Sequence, residues 1–260
     1  MVKRIGILVE YDGADFYGWQ RQPDLRTVQG EIERNLGKFS TEPIEIHGSG
    51  RTDKGVHARG QFAHFDWDIN MQIEDIPRAL NGQLPRDIVI REAKELPLDF
   101  HSRYHCKGKV YRYRFYTDTI PRAMESRYAM RVGWKMDENL MRQSAQDFMG
   151  TYDYKGFTST RCDKENTVRT IYYADLKRRG SDWEFVVAGS GFLYNMVRIM
   201  VGTLIDIGRG RLNRSVIKDV LEKKDRTLAG KTVGPQGLTL EKVFYSDEDR
   251  EAFLNQEILD

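Results

Sequence analysis

The residues best suited to chemistry lie in Gly48-Ser49-Gly50-Arg51-Thr52-Asp53-Lys54-Gly55-Val56-His57-Ala58. Three glycines in eight residues allow a sharply turned backbone that can approach another group closely. Asp53 sits within this loop between Arg51 and Lys54. Neighbouring positive charge keeps a carboxylate ionised, and only the ionised form acts as nucleophile or base. The plainer reading of the same residues is an Asx-turn, with Asp53 bonding nearby backbone amides.

A second feature lies far along the chain. The stretch from Phe192 to Ile207 reads as a helix that is apolar almost all round, which implies burial, yet Arg198 stands in its middle. Three and four residues to either side are Tyr194, Asn195, Val201 and Gly202, so the helix offers no carboxylate. A buried guanidinium without an anion costs several kcal/mol in practice. Arg198 therefore calls for a tertiary acid or a phosphate, and Asp53 is the first choice. The alternative is that Arg198 extends to the surface along its aliphatic stem.

A third element is Lys109-Val110-Tyr111-Arg112-Tyr113, where strand alternation puts Tyr111 and Tyr113 on one face. Aromatic rings among basic residues suit a base taken out of a nucleic acid, although paired strand tyrosines also serve as core. The formal charge of +2 conceals an uneven distribution. Residues 246–260 carry six acids against Arg250, a net of −5, which leaves +7 on residues 1–245. Basic residues cluster at Arg51, Lys54 and Arg59, at Arg103, Lys107, Lys109, Arg112 and Arg114, and at Arg209, Arg211 and Arg214. Such patches suit a phosphate backbone.

Several chemistries are missing their signatures. There is no GxGxxG at a strand–helix turn and no GxxxxGK[ST], so no nucleotide cofactor is expected. The histidines (His47, His57, His64, His101 and His105) lack zinc-site spacing, and Cys106 and Cys162 form neither a metal motif nor a disulfide framework. A carboxylate reaction without metal or cofactor remains. No apolar run is long enough to span a bilayer, and the first residues do not resemble a signal peptide, so a cytoplasmic protein is expected.

Elements must position these groups. The patterns predict strands at 3–11, 43–47, 61–67, 88–93, 108–116, 168–177, 183–188 and 240–245. Helices are expected after a Thr27 cap, with an apolar face of Val28, Ile32, Leu36 and Phe39, and at 73–80, 138–149, 192–207 and 216–223. With 40% hydrophobic and 31% charged residues, the chain reads as globular α+β with a mainly antiparallel sheet. A boundary is expected near residues 100–106.

The ordered motifs of the chain resemble the tRNA pseudouridine synthase A family over nearly its whole length. They are Tyr11-Asp12-Gly13, Phe16-Tyr17-Gly18-Trp19-Gln20-Arg21-Gln22, Thr27-Val28-Gln29-Gly30, the Asp53 loop, Gln61 with His64-Phe65, Asn81 with Leu84-Pro85-Arg86-Asp87-Ile88, Phe100-His101-Ser102-Arg103, Lys109 to Tyr113, Phe192 to Arg198, and Gly237-Leu238-Thr239-Leu240. The resemblance implies two RRM-like halves, 1–105 and 106–260, joined in one antiparallel sheet and acting as a homodimer on tRNA. It implies conversion of uridine to pseudouridine at positions 38 to 40 of the anticodon arm. Asp53 would be the nucleophile and Arg198 its partner. Tyr111 would pack on the uracil, Arg51 would help extract the nucleotide, and Tyr111 with Leu238 would enclose the detached base. Attack at C6 of the ring and at C1′ of the sugar both remain open.

Two positions depart from the family pattern. Val233-Gly234-Pro235 replaces the usual Ala-Pro-Ala, which puts the local backbone near the pocket rim in question, and Cys106 replaces a common alanine. Rival readings are a non-catalytic RNA-binding module and a nucleoside-cleaving enzyme. The first has no use for an arginine awaiting an acid, and most enzymes of the second kind need paired carboxylates.

Overall fold

The computed structural model describes residues 2–68, 71–159 and 166–259; Cys162 lies outside them. The chain forms two compact units, Met1–Lys107 with Thr239–Asp247, and Gly108–Leu238 with Glu248–Asp260. Both mix strands and helices, and the described strand pairings are antiparallel except for two short parallel ladders.

In the first unit, β1 (Lys3–Tyr11) takes the centre because Ile5, Ile7, Val9 and Tyr11 alternate onto one buried face. It pairs antiparallel with β3 (His57–Trp67) on one side and β4 (Ile88–Leu96) on the other. The connection from β1 carries α1 (Val28–Leu36), and α2 (Ile76–Asn81) joins β3 to β4. Thr27 caps α1 as expected, accepting from the Gly30 amide, while Val28, Ile32 and Leu36 are fully buried. Phe39 leaves this face: it lies on a 3-10 turn after the helix and is 37% exposed. The strand expected at 43–47 shrinks to β2 (His47–Gly48), antiparallel to β3, since only His64 and Ala63 pair with it. β10 (Leu238–Phe244) adds a short parallel ladder, Thr239 to His57 and Leu240 to Ala58.

His64 lies in the core of this unit, its Nδ1 accepting from the Ser102 amide at 3.3 Å, with the His101 ring 4.8 Å away. Burial, and then His101 and His47, push its pKa down to about 4. Unfolded histidine binds a proton near pH 6.5, so between that value and about 4 the unfolded chain holds the extra proton. Stability should fall as pH drops through this window. Urea midpoints of the wild type should show the decline, and His64→Gln should make it shallower.

In the second unit, β5 (Gly108–Tyr116) pairs with β9 (Asp182–Gly189), β9 with β8 (Val168–Arg179), and β8 with β7 (Gly150–Asp153), all antiparallel. A two-residue β6 (Met130–Arg131) runs parallel to β5. Phe115 stacks on Trp183 with centroids 5.6 Å apart, at the centre of a core that includes Phe148, Phe157 and Phe185. α3 (Glu138–Gln146) ends three residues before the expected point, its chain continuing in turns. α4 (Met196–Gly208) buries every residue except Arg198 and Asp206. It starts at Met196, not Phe192, because Asn195 adopts a left-handed conformation (φ 60°). α5 (Val216–Lys223) matches its expected span. The acidic C-terminal segment, to which the sequence assigned no element, forms α6 (Asp247–Leu259).

Candidate active site

The first unit shapes the Asp53 loop. Asp53 is half-buried, Thr52 buried, and Arg51 and Lys54 exposed. The Asp53 main-chain carbonyl accepts from the Val56 amide at 3.1 Å, closing a tight turn in which Gly55 takes φ +78°. The segment 13–19 holds this turn from beneath. Trp19 N donates to the Thr52 carbonyl at 3.1 Å, and Gly55 N donates to the Phe16 carbonyl at 3.2 Å. Gly18, at φ +91°, runs so close that a Cβ there would meet the Thr52 carbonyl oxygen at 2.5 Å. Thr52 is further fixed by a 2.7 Å hydrogen bond between its hydroxyl and that of Tyr11, whose phenol burial keeps protonated. On the preceding side, Ser49 Oγ donates to Gln61 Oε1 at 2.6 Å, and Gln61 Nε2 donates to the Gly50 carbonyl at 2.7 Å. The backbone flanking Asp53 is thus tied at Thr52, Gly55 and Gly50, which limits where its carboxylate can go.

The charges around Asp53 are themselves held. Arg51 Nε donates to Gln20 Oε1 at 3.0 Å, and Lys54 Nζ lies 3.8 Å from the centre of the Tyr17 ring. A cation over an aromatic face keeps its charge while losing reach. His57 Nδ1 accepts from the Gly13 amide at 3.0 Å, which places this histidine in the loop's support.

The second unit carries Tyr111, Arg198 and Leu238. Tyr111 is 8% exposed and meets Phe192 edge to face, with centroids 5.1 Å apart. Tyr113, its neighbour on the same strand face, is fully buried and donates from its hydroxyl to the Gly234 carbonyl at 2.7 Å. One tyrosine of the pair is therefore core, and burial raises its pKa. Leu238 is buried beside Gly237, whose Cα approaches the Tyr113 ring too closely for a Cβ.

Arg198 is half-buried, and the residue that precedes its helix supplies one partner: Nη1 donates to Asn195 Oδ1 at 2.7 Å. Nε donates to the Val233 carbonyl at 2.8 Å. A neutral amide oxygen three residues back is thus one of the groups that orient this guanidinium. Val233-Gly234-Pro235, where the chain departs from the family pattern, holds both Arg198 and Tyr113 through main-chain carbonyls. Backbone contacts of this kind tolerate a change of side chain.

The basic cluster on β5 is less available than its sequence suggested. Arg112 pairs with Glu184 at 2.6 Å, and Arg114 lies 3.5 Å from Glu125 and 3.7 Å from Glu184. Among the described residues, no group of three or more His, Cys, Asp or Glu could hold a metal ion, and no helix is long and apolar enough to cross a membrane.

The first unit thus carries a glycine-turned aspartate with flanking cations, and the second carries an arginine held on a buried helix. The chain belongs to the tRNA pseudouridine synthase family, whose model matches residues 7–105 and 144–246. It is therefore an isomerase. It is 44% identical over 240 residues to the tRNA pseudouridine synthase A of Halalkalibacterium halodurans, covering 91% of this chain and 90% of that one. The protein of the same name from Exiguobacterium sp. is 43% identical over 248 residues, covering 95% of this chain and 100% of that one. That of Acetivibrio thermocellus is 40% identical over 244 residues, covering 94% and 100%. A solved Cbf5-Nop10-Gar1 complex contains a chain that aligns with 77% of this one, at 13% identity and a TM-score of 0.33.

Proposed function

We propose that the protein isomerises uridine to pseudouridine in tRNA, at positions 38 to 40 of the anticodon arm, with Asp53 as the nucleophile. The observation that carries this reading is the placement of Asp53, half-buried on a turn whose backbone is fastened on both sides. A reacting carboxylate needs a fixed position as well as its charge.

The reaction breaks the N1–C1′ bond, turns the uracil and joins C5 to C1′. C5 loses a proton and N1 gains one, so no atom is lost and no redox partner is required. The uridine must first leave its stack, at a cost of a few kcal/mol. Arg51, exposed within the Asp53 loop, helps to take the nucleotide out of its stack. Asp53 then attacks at C6 or C1′, with the Arg198 guanidinium as its counter-charge. Tyr111 packs on the ring, and Leu238 helps keep the detached base from escaping.

Two RRM-like halves, 1–105 and 106–260, are part of this reading. The strand order β4-β1-β3-β2, with helices in the β1–β2 and β3–β4 connections, supports it for the first half. A homodimer working on tRNA in the cytoplasm completes the proposal.

The test is release of tritium from tRNA labelled at uridine C5, followed by nucleoside analysis. Label release with pseudouridine at 38 to 40 is expected. Binding without label release would leave only an RNA-binding module, and free uracil would point to a nucleoside-cleaving enzyme. Affinity for tRNA should also fall about tenfold or more between roughly 50 and 200 mM salt, as phosphate contacts release counterions. A flat salt response would count against backbone recognition.

A further inference from the structure

The Arg198 guanidinium is held by two groups of its own unit, and one of them is unusual. Among the described residues, three that are not glycine have positive φ: Asp24, Asn195 and Lys224. Asp24 lies in an exposed turn and Lys224 is the exposed C-cap of α5, whereas Asn195 is half-buried at the start of α4. Its main chain begins the helix, accepting from the Ile199 amide at 3.0 Å, but its side chain makes no capping bond to the helix. Asparagine is a favoured cap residue, so a capping role would turn the side-chain oxygen towards the amides of the first turn. Here the oxygen accepts from Arg198 Nη1 at 2.7 Å instead.

The second partner is equally constrained. The segment 230–233 lies directly on α4, where a Cβ on Gly202 would sit 1.7 Å from the Lys231 carbonyl oxygen. Gly230 N donates to Thr203 Oγ1 at 3.0 Å, and Val233 N donates to the Arg198 carbonyl at 3.3 Å. Val233 in turn accepts from Arg198 Nε at 2.8 Å. The Val233 carbonyl fixes the base of the fork, and the Asn195 oxygen fixes one of its tips. The turn bearing Asn195 is itself anchored, since the Tyr194 carbonyl accepts from Thr158 Oγ1 at 3.0 Å.

We propose that Asn195 is a positioning residue for catalysis: its left-handed conformation aims the side-chain oxygen at Arg198 and sets the direction in which the guanidinium presents its charge. This rests on the reading that Arg198 is the counter-charge of Asp53. The backbone strain at Asn195 is then spent on orientation, in keeping with the clustering of strained residues at functional sites.

Glycine is the substitution that separates positioning from structure. It adopts φ near +60° at no steric cost, so Asn195→Gly preserves the turn and removes the side chain whose oxygen Arg198 uses. Its melting temperature should equal or exceed that of the wild type. Its kcat for tritium release should fall by about tenfold to hundredfold, the usual worth of a hydrogen bond to a charged group, with KM for tRNA nearly unchanged. Asn195→Asp returns an oxygen to the same place and should recover kcat to within about threefold of wild type. In an Arg198→Lys background, Asn195→Gly should cost less than about twofold more, because its effect passes through the guanidinium.

Wild-type kcat in Asn195→Gly would overturn the proposal. So would a loss of stability in that variant, which would make the side chain a support of the fold, and so would an Asn195→Asp as slow as the glycine form. Arg198→Ala is the control on the underlying reading. Wild-type activity there removes the Arg198 role itself, whereas an inactive Arg198→Ala beside a fully active Asn195→Gly removes only the inference about Asn195.

Discussion

Asp53→Asn should bind tRNA as the wild type does and release no tritium from C5-labelled uridine, a loss on the order of 10⁴-fold in kcat. Asparagine has nearly the size of aspartate and loses only its charge and nucleophilicity. Main-chain hydrogen bonds close and anchor the turn. The Asp53 main-chain carbonyl accepts from Val56, and the Thr52 and Gly55 backbones are fastened to Trp19 and Phe16. The loop should therefore keep its shape, and the melting temperature should change little. A loss of this size corresponds to about 5.5 kcal/mol of transition-state stabilisation, more than a misplaced hydrogen bond can explain and appropriate to a missing covalent step. Measurable label release by this variant at a tenth of the wild-type rate would eliminate Asp53 as the nucleophile.

Gly13→Ala should be a severely disruptive single-methyl change beside the Asp53 loop. A Cβ at this position would lie 1.9 Å from the Val56 carbonyl oxygen, 2.4 Å from its carbon and 3.1 Å from the His57 amide nitrogen. All three are backbone atoms, so no side chain can swing away. The 3-10 turn at 13–15, capped by Asp12 accepting from Ala14 N, would have to part from the loop that carries Asp53. Overpacking of this kind costs about 3 kcal/mol, which for a chain of this size lowers the melting temperature by about 6 to 12 °C. Activity should fall further than stability alone accounts for, by about a hundredfold, since a shift of about 1 Å in a reacting group has that effect. Both numbers come from one preparation, with a thermal melt and a label-release assay run well below the melting point. A variant with wild-type melting and wild-type turnover would show that the two loops have slack between them.

The two changes test different parts of the same loop. Asp53→Asn removes chemistry and keeps geometry, and Gly13→Ala does the reverse. Asn195→Gly applies the first strategy to the arginine, with one oxygen removed and the backbone left at ease.

Much of the scaffold could be read without coordinates. The spans of β1 and β5 follow from apolar residues alternating on strands, and the Thr27 cap and α5 from helical spacing and side-chain capping. These are properties of a few consecutive residues. Where the reading failed, the deciding contact lay elsewhere. Among the described residues Pro43 to Ile46 has no partner strand and so forms none, and Phe39 leaves the helix face where α1 gives way to a 3-10 turn. α4 begins late because Asn195 turns left-handed, a choice tied to Arg198 and not visible in hydropathy.

The site divides along the same line. By itself the sequence determined that a carboxylate stands in a glycine-rich turn between two cations, that an arginine interrupts an apolar helix, and, through ordered motifs, which family the chain belongs to. Residue type and spacing carry that information because charge, flexibility and periodicity are local. Only the tertiary structure decided how the groups are aimed. Gly18 and Gly13 brace the Asp53 turn from segments some forty residues away, and the Val233 carbonyl, thirty-five residues past Arg198, takes its guanidinium. Tyr113 is core while Tyr111, two residues before it, is not fully enclosed. Hydrogen-bond partners are chosen by distance in space, and a chain that folds back on itself brings together donors and acceptors whose pairing no local pattern records.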